Sequence, residues 1–184
     1  MPARLPRFLL ILATLLLLGA VALPVVGCGE EEEPELDVPE GEPLELSGLE
    51  FDVQITRFLN PDSPEDSAYL QGAPPLGDDQ QYLGVFMEIK NEGDTTNVVP
   101  FPFKVVDTKG EITYQLDIEN DFTLVAGTPI LPDEQVPGPE TAAANGPIEG
   151  SALIFPLDEA ANENRPLKLV VPGPTGPGEI ELDL

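Results

Sequence analysis

Apolar and polar residues alternate along most of the chain after residue 44. Residues 48–58, GLEFDVQITRF, show the pattern most clearly, with apolar side chains at every second position: Leu49, Phe51, Val53 and Ile55. Because successive side chains of a strand point to opposite faces, this period of two predicts a strand with one buried and one wet face. Residues 82–94 carry apolar side chains on both faces, which predicts a central and more fully buried strand.

The remaining apolar segments are short and are separated by turn residues. Residues 103–116 predict a hairpin that bends at Asp107–Gly110. The segments 148–157, 167–171 and 179–184 predict three further strands, and 158–164 predicts a turn or a single helical turn. Since no segment has a convincing helical period, seven or eight short strands in about 140 residues predict an all-β, antiparallel sandwich.

Two segments between the predicted strands are long for connections in a compact domain. Residues 60–80 and 127–147 are rich in proline and glycine and contain few apolar side chains. Loops of this length are usually either functional or disordered. Their composition favours partial disorder.

The first 28 residues have the layout of a secretory signal peptide. Arg4 and Arg7 precede an apolar run that begins at Phe8, and the segment ends in Val-Val-Gly-Cys. That ending resembles the lipobox of bacterial lipoprotein precursors, in which the cysteine thiol receives diacylglycerol before cleavage. The resemblance predicts a signal peptide over residues 1–27 and lipidation, including a palmitate-type acyl chain, at Cys28.

Two other interpretations of this segment stay open. The apolar run of residues 8–26 is long enough for an uncleaved membrane anchor, and a plain signal peptide would leave Cys28 unmodified. Pro24 and Gly27 favour cleavage over a continuous helix. In all three cases the chain after Cys28 is predicted to be extracytoplasmic.

The residues that follow Cys28 are acidic and rich in proline. GEEEEPELDVPEGEP, residues 29–43, has few apolar side chains, so it is predicted to form a disordered, extended stalk over residues 28–43. The folded domain is then expected at residues 44–184.

Charge and missing residue types exclude several kinds of function. The net charge is −26, and the chain after Cys28 holds 34 acidic and 6 basic residues, which gives −28. Nucleic acid is therefore not expected as a partner. The chain has no His and no Trp, and its single cysteine is Cys28, so neither a His-based nucleophile nor a His/Cys zinc site can form.

Acidic loops are the candidate sites that the composition leaves. Asp117, Glu119 and Asp121 bring three carboxylates into one short segment, and a hard cation such as calcium prefers oxygen ligands. The segment does not fit the EF-hand pattern, and solvated loop acids explain it equally well. Catalysis by two carboxylates, as in glycosidases, is a further alternative that nothing in the sequence singles out.

A partner-binding surface is the other candidate. Pro100 and Pro102 predict an edge segment, and Phe101, Phe103 and Tyr114 lie in or beside it. An open sheet edge with aromatic side chains can accept a strand from another protein. The same aromatic residues are also compatible with places in the core.

Residues 82–116, 148–160 and 167–171 together resemble a bacterial lipoprotein domain of unknown function. That family has an immunoglobulin-like, telokin-like sandwich, also found in mycobacterial immunoprotective antigens. The shared features are a strand ending at Asn91, the Asp107–Gly110 turn and a strand from Gly150 to Pro156. The resemblance covers residues 45–171, but residues 127–147 are longer than the family's short turn.

Together these observations predict a non-enzymatic, lipid-anchored binding module of the bacterial envelope. Its expected partners are the membrane, through the lipid on Cys28, and an envelope or extracellular protein. A calcium-dependent binding protein is the alternative, and a carboxylate-only hydrolase comes third. No cofactor other than calcium is expected.

Overall fold

The alternating apolar side chains of two β-sheets face each other and form the main core of the molecule. The structure, a computed structural model, describes residues 35–184. The predicted signal peptide, Cys28 and the first residues of the predicted stalk lie outside this range. No helix between residues 35 and 184 is long and apolar enough to cross a membrane.

Short strands and three single-turn helices make up the secondary structure of the described residues. The strands are β1 (Asp37–Pro39), β2 (Leu44–Leu46), β3 (Leu49–Leu59), β4 (Gln80–Asn91), β5 (Asn97–Val98), β6 (Lys104–Val106), β7 (Ile112–Tyr114), β8 (Pro129–Ile130), β9 (Gln135–Val136), β10 (Ser151–Asp158), β11 (Leu167–Val171) and β12 (Gly178–Leu182). The helices are α1 (Pro64–Ser67), α2 (Ala142–Asn145) and a 3₁₀ turn at Glu159–Glu163.

The strands form two main sheets and one small ribbon. One sheet has the order β1-β12-β11-β6-β7, and the facing sheet has the order β10-β4-β3-β2 with β9 beside β4, while β5 pairs with β8. All of these pairs are antiparallel except β1 with β12. The placement of β3, β4 and β10 in one sheet and β6, β11 and β12 in the other is that of immunoglobulin strands A, B, E and C, F, G.

The predicted all-β sandwich is therefore confirmed, with more strands than the seven or eight expected. The additional strands are pieces of two or three residues at sheet edges and in the long loops. Such pieces carry too few residues for a period of two to mark them in the sequence.

The prediction for β3 is correct at its start and wrong at Ile55. Leu49, Phe51 and Val53 are buried, whereas Ile55 is 40% exposed. The pairing of β3 with β4 shifts register between Val53 and Ile55, which marks a β-bulge. A bulge adds one residue to one strand and reverses the face of every side chain after it. Thr56 consequently points inward, where its hydroxyl has no hydrogen-bond partner.

The outer face of the β3-β4-β10 sheet carries a second apolar cluster under the long loops. Tyr69 of the 60–80 loop packs edge-on against Phe86 of β4, with ring centroids 5.0 Å apart, and against Phe122 at 4.9 Å. The 127–147 segment contains β8, β9 and α2, and it buries Ile130 and Ala143. Both loops are thus folded, contrary to the expected partial disorder. The 60–80 loop covers the outer apolar face, whereas the 127–147 segment pairs with β4 and β5 and places Ile130 in the main core.

The folded domain begins earlier than predicted. Residues 37–39 form β1, which pairs in parallel with β12, and Val38 lies in the main core. Lys168 of β11 holds this strand through salt bridges to Asp37 at 2.7 Å and Glu179 at 2.9 Å. Residues 37–39 therefore belong to the folded domain and not to the predicted stalk, because one buried valine, Val38, and the pairing with β12 suffice for a short edge strand.

The register places different segments at the two ends of the sandwich. The start of β1, the start of β12, the end of β11 and the start of β6 lie together at one end. The start of β3 and the end of β4 lie at the same end, because Leu46 at the end of β2 packs against Gly173 between β11 and β12. We call this the N-terminal end. The opposite, distal end holds the end of β3, the start of β4 and the end of β10.

Candidate functional site

A cavity of about 560 Å³ opens at the distal end, where the chain leaves β3 and returns into β4. We call it the distal pocket. Its volume falls within the range of cavities that hold small-molecule ligands, about 300–1,000 Å³. The lining residues come from two segments that are distant in sequence: Phe58, Leu59, Asn60, Pro61, Pro75, Leu76, Gln80, Gln81 and Tyr82.

Polar contacts on both sides fix the shape of the distal pocket. On one side Arg57 donates to the buried carboxylate of Asp66, which also accepts a hydrogen bond of 2.9 Å from the backbone nitrogen of Asn60. On the other side the hydroxyl of Tyr82 donates to the carbonyl of Pro74. These contacts hold the two ends of the 60–80 loop against β3 and β4, so the pocket is formed before any ligand binds.

The pocket wall is mainly apolar and carries no formal charge. None of its nine lining residues is acidic or basic. Burial raises the pKa of Tyr82 above its ordinary value, so this phenol stays neutral at physiological pH. The side chain of Gln80 donates to Asp158 at 2.9 Å, and Oδ1 of Asn60 accepts from the backbone nitrogen of Asp62 at 3.0 Å. The amide of Gln81 and Nδ2 of Asn60 are therefore the polar groups that the wall offers to an occupant.

The acids that the sequence suggested as calcium ligands do not come together. Asp117, Glu119 and Asp121 are exposed, and they form no group of three converging carboxylates in the described part of the chain. Asn120, between them, uses its amide to hold two loops together. Its Nδ2 donates to the carbonyls of Tyr69 and Gln71, both at 3.1 Å. The segment that carries these acids is a loop between β7 and β8.

A different set of acids converges at the N-terminal end. Carboxylate oxygens of Glu45, Glu50 and Glu92 lie within 4.8 Å of one another. Glu45 and Glu50 face each other across the β2–β3 hairpin, and Glu92 follows the end of β4. Lys90 already forms a 2.7 Å salt bridge with Glu92, and this contact raises the pKa of the lysine. The ammonium group of Lys90 thus supplies part of the positive charge that a metal ion would supply.

The predicted aromatic surface is divided between core and solvent. Phe103 is fully buried and packs edge-on against Phe51 with ring centroids 6.4 Å apart. Phe101 and Tyr114 are exposed at 51% and 55%. Tyr114 lies on β7, which is the outermost strand of its sheet. Phe103 therefore does not belong to a partner surface, whereas Phe101 and Tyr114 remain free to contact one.

The distal pocket is the site that the sequence did not predict. Five of its residues lie in the 60–80 loop, whose composition favours partial disorder, and none has a side chain that suggests chemistry on its own. Pro61 and Pro75 stiffen the loop, but proline is equally common in disordered segments. Only the pairing of β3 with β4 brings the two halves of the wall together.

Comparisons with known proteins found similar solved structures but no family. No family model matches the chain, and no curated protein matches its sequence. The structure is similar to an uncharacterized β-sandwich protein of Clostridium difficile (TM-score 0.49, 16% identity, 84% of this chain and 98% of that one). It is also similar to the yjhA protein of Bacillus subtilis (TM-score 0.49, 11% identity, 79% and 99%).

A third similar structure is a candidate lipoprotein of Bacillus subtilis, ycdA. It has a TM-score of 0.49 and 16% identity, and the match covers 82% of this chain and 39% of that one. Similarity at this level assigns no function to the chain.

Proposed function

We propose that the chain is a non-enzymatic, lipid-anchored binding module outside the cytoplasm, and that its ligand occupies the distal pocket. The observation that carries the proposal is the position of this preformed pocket. The pocket lies at the distal end of the sandwich. Glu35, from which the chain leads back to Cys28, lies at the N-terminal end. A domain anchored through Cys28 would present the pocket to its surroundings.

The chemistry of the pocket wall defines the class of ligand. An apolar wall without formal charge favours an uncharged, largely apolar small molecule or an apolar group of a larger ligand. Gln81 and Asn60 would orient it through their amides. The surrounding surface is strongly acidic and would repel anions.

The anchor itself rests on the sequence. The basic start, the apolar run and Val-Val-Gly-Cys support lipidation at Cys28 and export of the domain. The resemblance to envelope lipoproteins with telokin-like domains supports the same assignment. The chain has no His, which removes the commonest general base and supports a role without catalysis.

The proposal predicts that a neutral apolar dye binds the distal pocket. Residues 34–184 form a compact unit with its own core, so the chain from residue 28 onward, with Cys28→Ser, is suitable for the measurement. Nile red fluorescence gives the affinity. Pro75→Asp is expected to weaken binding by about tenfold or more, because a carboxylate in the wall loses hydration when an apolar ligand enters. Pro75 is exposed, so this variant is expected to fold.

Leu131→Asp is the matched control, since it puts the same charge at an exposed apolar position of the N-terminal end. It is expected to leave dye binding unchanged. Equal losses in the two variants, or a loss in the control alone, would show that the dye binds outside the pocket and would contradict the proposal.

Cation binding at Glu45, Glu50 and Glu92 is the second candidate, because these carboxylates converge. The Lys90–Glu92 salt bridge argues against it. We therefore expect millimolar calcium at fixed ionic strength to raise the melting temperature by no more than about two degrees. A larger rise that is specific for calcium and absent in Glu50→Gln would instead establish this group as a cation site.

A further inference from the structure

Exposed apolar side chains are concentrated at the N-terminal end of the sandwich. Eight large apolar residues are exposed in the described part of the chain, and six of them lie at this end. We call these six the apolar rim: Leu36, Val98, Phe101, Tyr114, Val125 and Leu131. Of the other two, Ile55 lies at the bulge of β3, and Ile112 begins β7 beside the Asp107–Gly110 turn, at the distal end.

Backbone hydrogen bonds fix the segments of the rim to the N-terminal end. The carbonyl of Leu36 accepts from Glu179 at the start of β12 at 2.7 Å. Glu134, whose carbonyl accepts from Asn91 at the end of β4, donates its own N–H to the carbonyl of Leu131. Val98 lies on β5, one residue after Asn97, whose amide bonds to Asn91. The residues of the rim thus lie in short strands and in loops that backbone hydrogen bonds hold in place.

The length of the tether limits how far this end can lie from a membrane. Seven residue steps separate Cys28 from Glu35, and seven extended residues span at most about 25 Å. Glu35 itself stands at the N-terminal end, two residues before β1. A lipid on Cys28 would therefore hold the apolar rim close to the lipid headgroups, while the distal pocket faces away.

We infer that the apolar rim docks into the interfacial layer of a lipid bilayer and orients the domain with its distal pocket outward. This inference rests on the proposed lipid anchor at Cys28. Tyrosine and other aromatic side chains are favoured at the membrane interface, and Phe101 and Tyr114 supply them. Because the tether raises the local concentration of the rim to the millimolar range, weak contacts suffice for docking.

The charge of the domain determines which lipid headgroups the apolar rim can approach. Exposed acids such as Glu92 and Asp94 lie between the apolar positions of the rim, and the chain after Cys28 carries −28. Anionic headgroups would repel this surface, and salt would reduce the repulsion. The rim is therefore expected to dock into zwitterionic lipid and to withdraw as anionic lipid is added.

The absence of tryptophan and the single cysteine make the docking directly measurable. Phe101→Trp introduces the chain's sole tryptophan, and Cys28 can be coupled to maleimide-phosphatidylethanolamine in phosphatidylcholine vesicles. The coupled protein is expected to show a shift of tryptophan emission to shorter wavelength and strong quenching by phosphatidylcholine brominated in the acyl chains. Val98→Ser with Leu131→Ser in the same chain is expected to remove most of the quenching.

Ala160→Trp is the matched control, because Ala160 is exposed in the 3₁₀ turn that follows β10 at the distal end. Its emission is expected to stay unshifted and unquenched on the same vesicles. If Phe101→Trp is also unquenched, or if both positions are quenched alike, the docked orientation is overturned.

The chemical coupling separates this inference from the proposed anchor. Natural lipidation is tested independently by the mass of the mature chain from cells and by loss of membrane partitioning in Cys28→Ala. An unmodified Cys28 would overturn the proposed anchor. Docking of the coupled protein would then be a property of the artificial tether only, so the inference would be overturned as well. A lipidated Cys28 with an unquenched rim overturns the inference alone.

Discussion

Asn91→Ala is expected to lower the free energy of unfolding by about 3–5 kcal/mol, because it leaves the buried carbonyl of Ile130 and two partly buried backbone groups without partners. The side chain of Asn91 is fully buried at the end of β4. Its Nδ2 donates to the carbonyls of Thr95 and Ile130, both at 2.8 Å. Its Oδ1 accepts from the backbone nitrogen of Gly93 at 3.0 Å. One side chain thus joins the end of β4 to the β5–β8 ribbon.

Thermal and denaturant unfolding of the mature chain measure this loss, which corresponds to a fall in melting temperature of roughly 10–15 °C for a domain of this size. Asn91→Asp keeps the shape and the acceptor but removes both donated bonds, so it is expected to be nearly as damaging. Asn97→Ala removes only the 3.3 Å bond to Asn91 and serves as the mild control. A loss below about 1 kcal/mol for Asn91→Ala would show that water replaces the lost bonds.

Two of the residues on which the family resemblance rests have structural roles, because their side chains hold separate segments together. Asn91 is one, and Asp107 is another. Its carboxylate accepts 2.9 Å hydrogen bonds from the backbone of Lys109 and Glu111 and from the side chain of Asn164. Burial would raise the pKa of Asp107, but the bonds from Glu111, Asn164 and Lys109 outweigh it and hold the pKa below its ordinary value. Such residues specify a turn or a strand end and imply no chemistry.

The alternation of apolar and polar residues was sufficient to predict the long strands, because each of these strands has one face in the main core. β4 and β10 have no exposed position among their central residues, and β3 alternates as far as its bulge. The bulge at Gln54 could not be predicted, since a polar residue between Val53 and Ile55 is also what an uninterrupted alternation gives. One such residue was enough to exchange Ile55 and Thr56 between core and surface.

The candidate sites were less predictable because they depend on contacts between distant segments. Asp117, Glu119 and Asp121 are close in sequence, yet the structure groups Glu45, Glu50 and Glu92 instead, through a hairpin and the end of a neighbouring strand. The apolar rim likewise consists of single residues in separate loops and short strands. Only the register of the two sheets shows that these segments share one end with Glu35.

Gly150→Ala is the second large effect, with an expected loss of about 3 kcal/mol or more from combined backbone and steric strain. Gly150 has φ +106° where the chain enters β10, a conformation that side chains rarely adopt. A β-carbon there would lie 2.9 Å from the backbone nitrogen of Met87 and 3.1 Å from its carbonyl oxygen. Because Met87 belongs to the central strand β4, it cannot move aside without disturbing both neighbouring strands.

Gly41→Ala separates the two causes of this loss. Gly41 also has a positive φ, +86°, but an added β-carbon would meet no atom within 4 Å. It is therefore expected to cost only the conformational part, about 1–2 kcal/mol. The two variants are compared by their free energies of unfolding in denaturant. The difference between their losses measures the steric cost of a β-carbon where β10 closely approaches β4. Equal losses would mean that β10 can shift away from Met87, and the strand pair at the centre of the sandwich would then tolerate a wider spacing at its entry than the structure has.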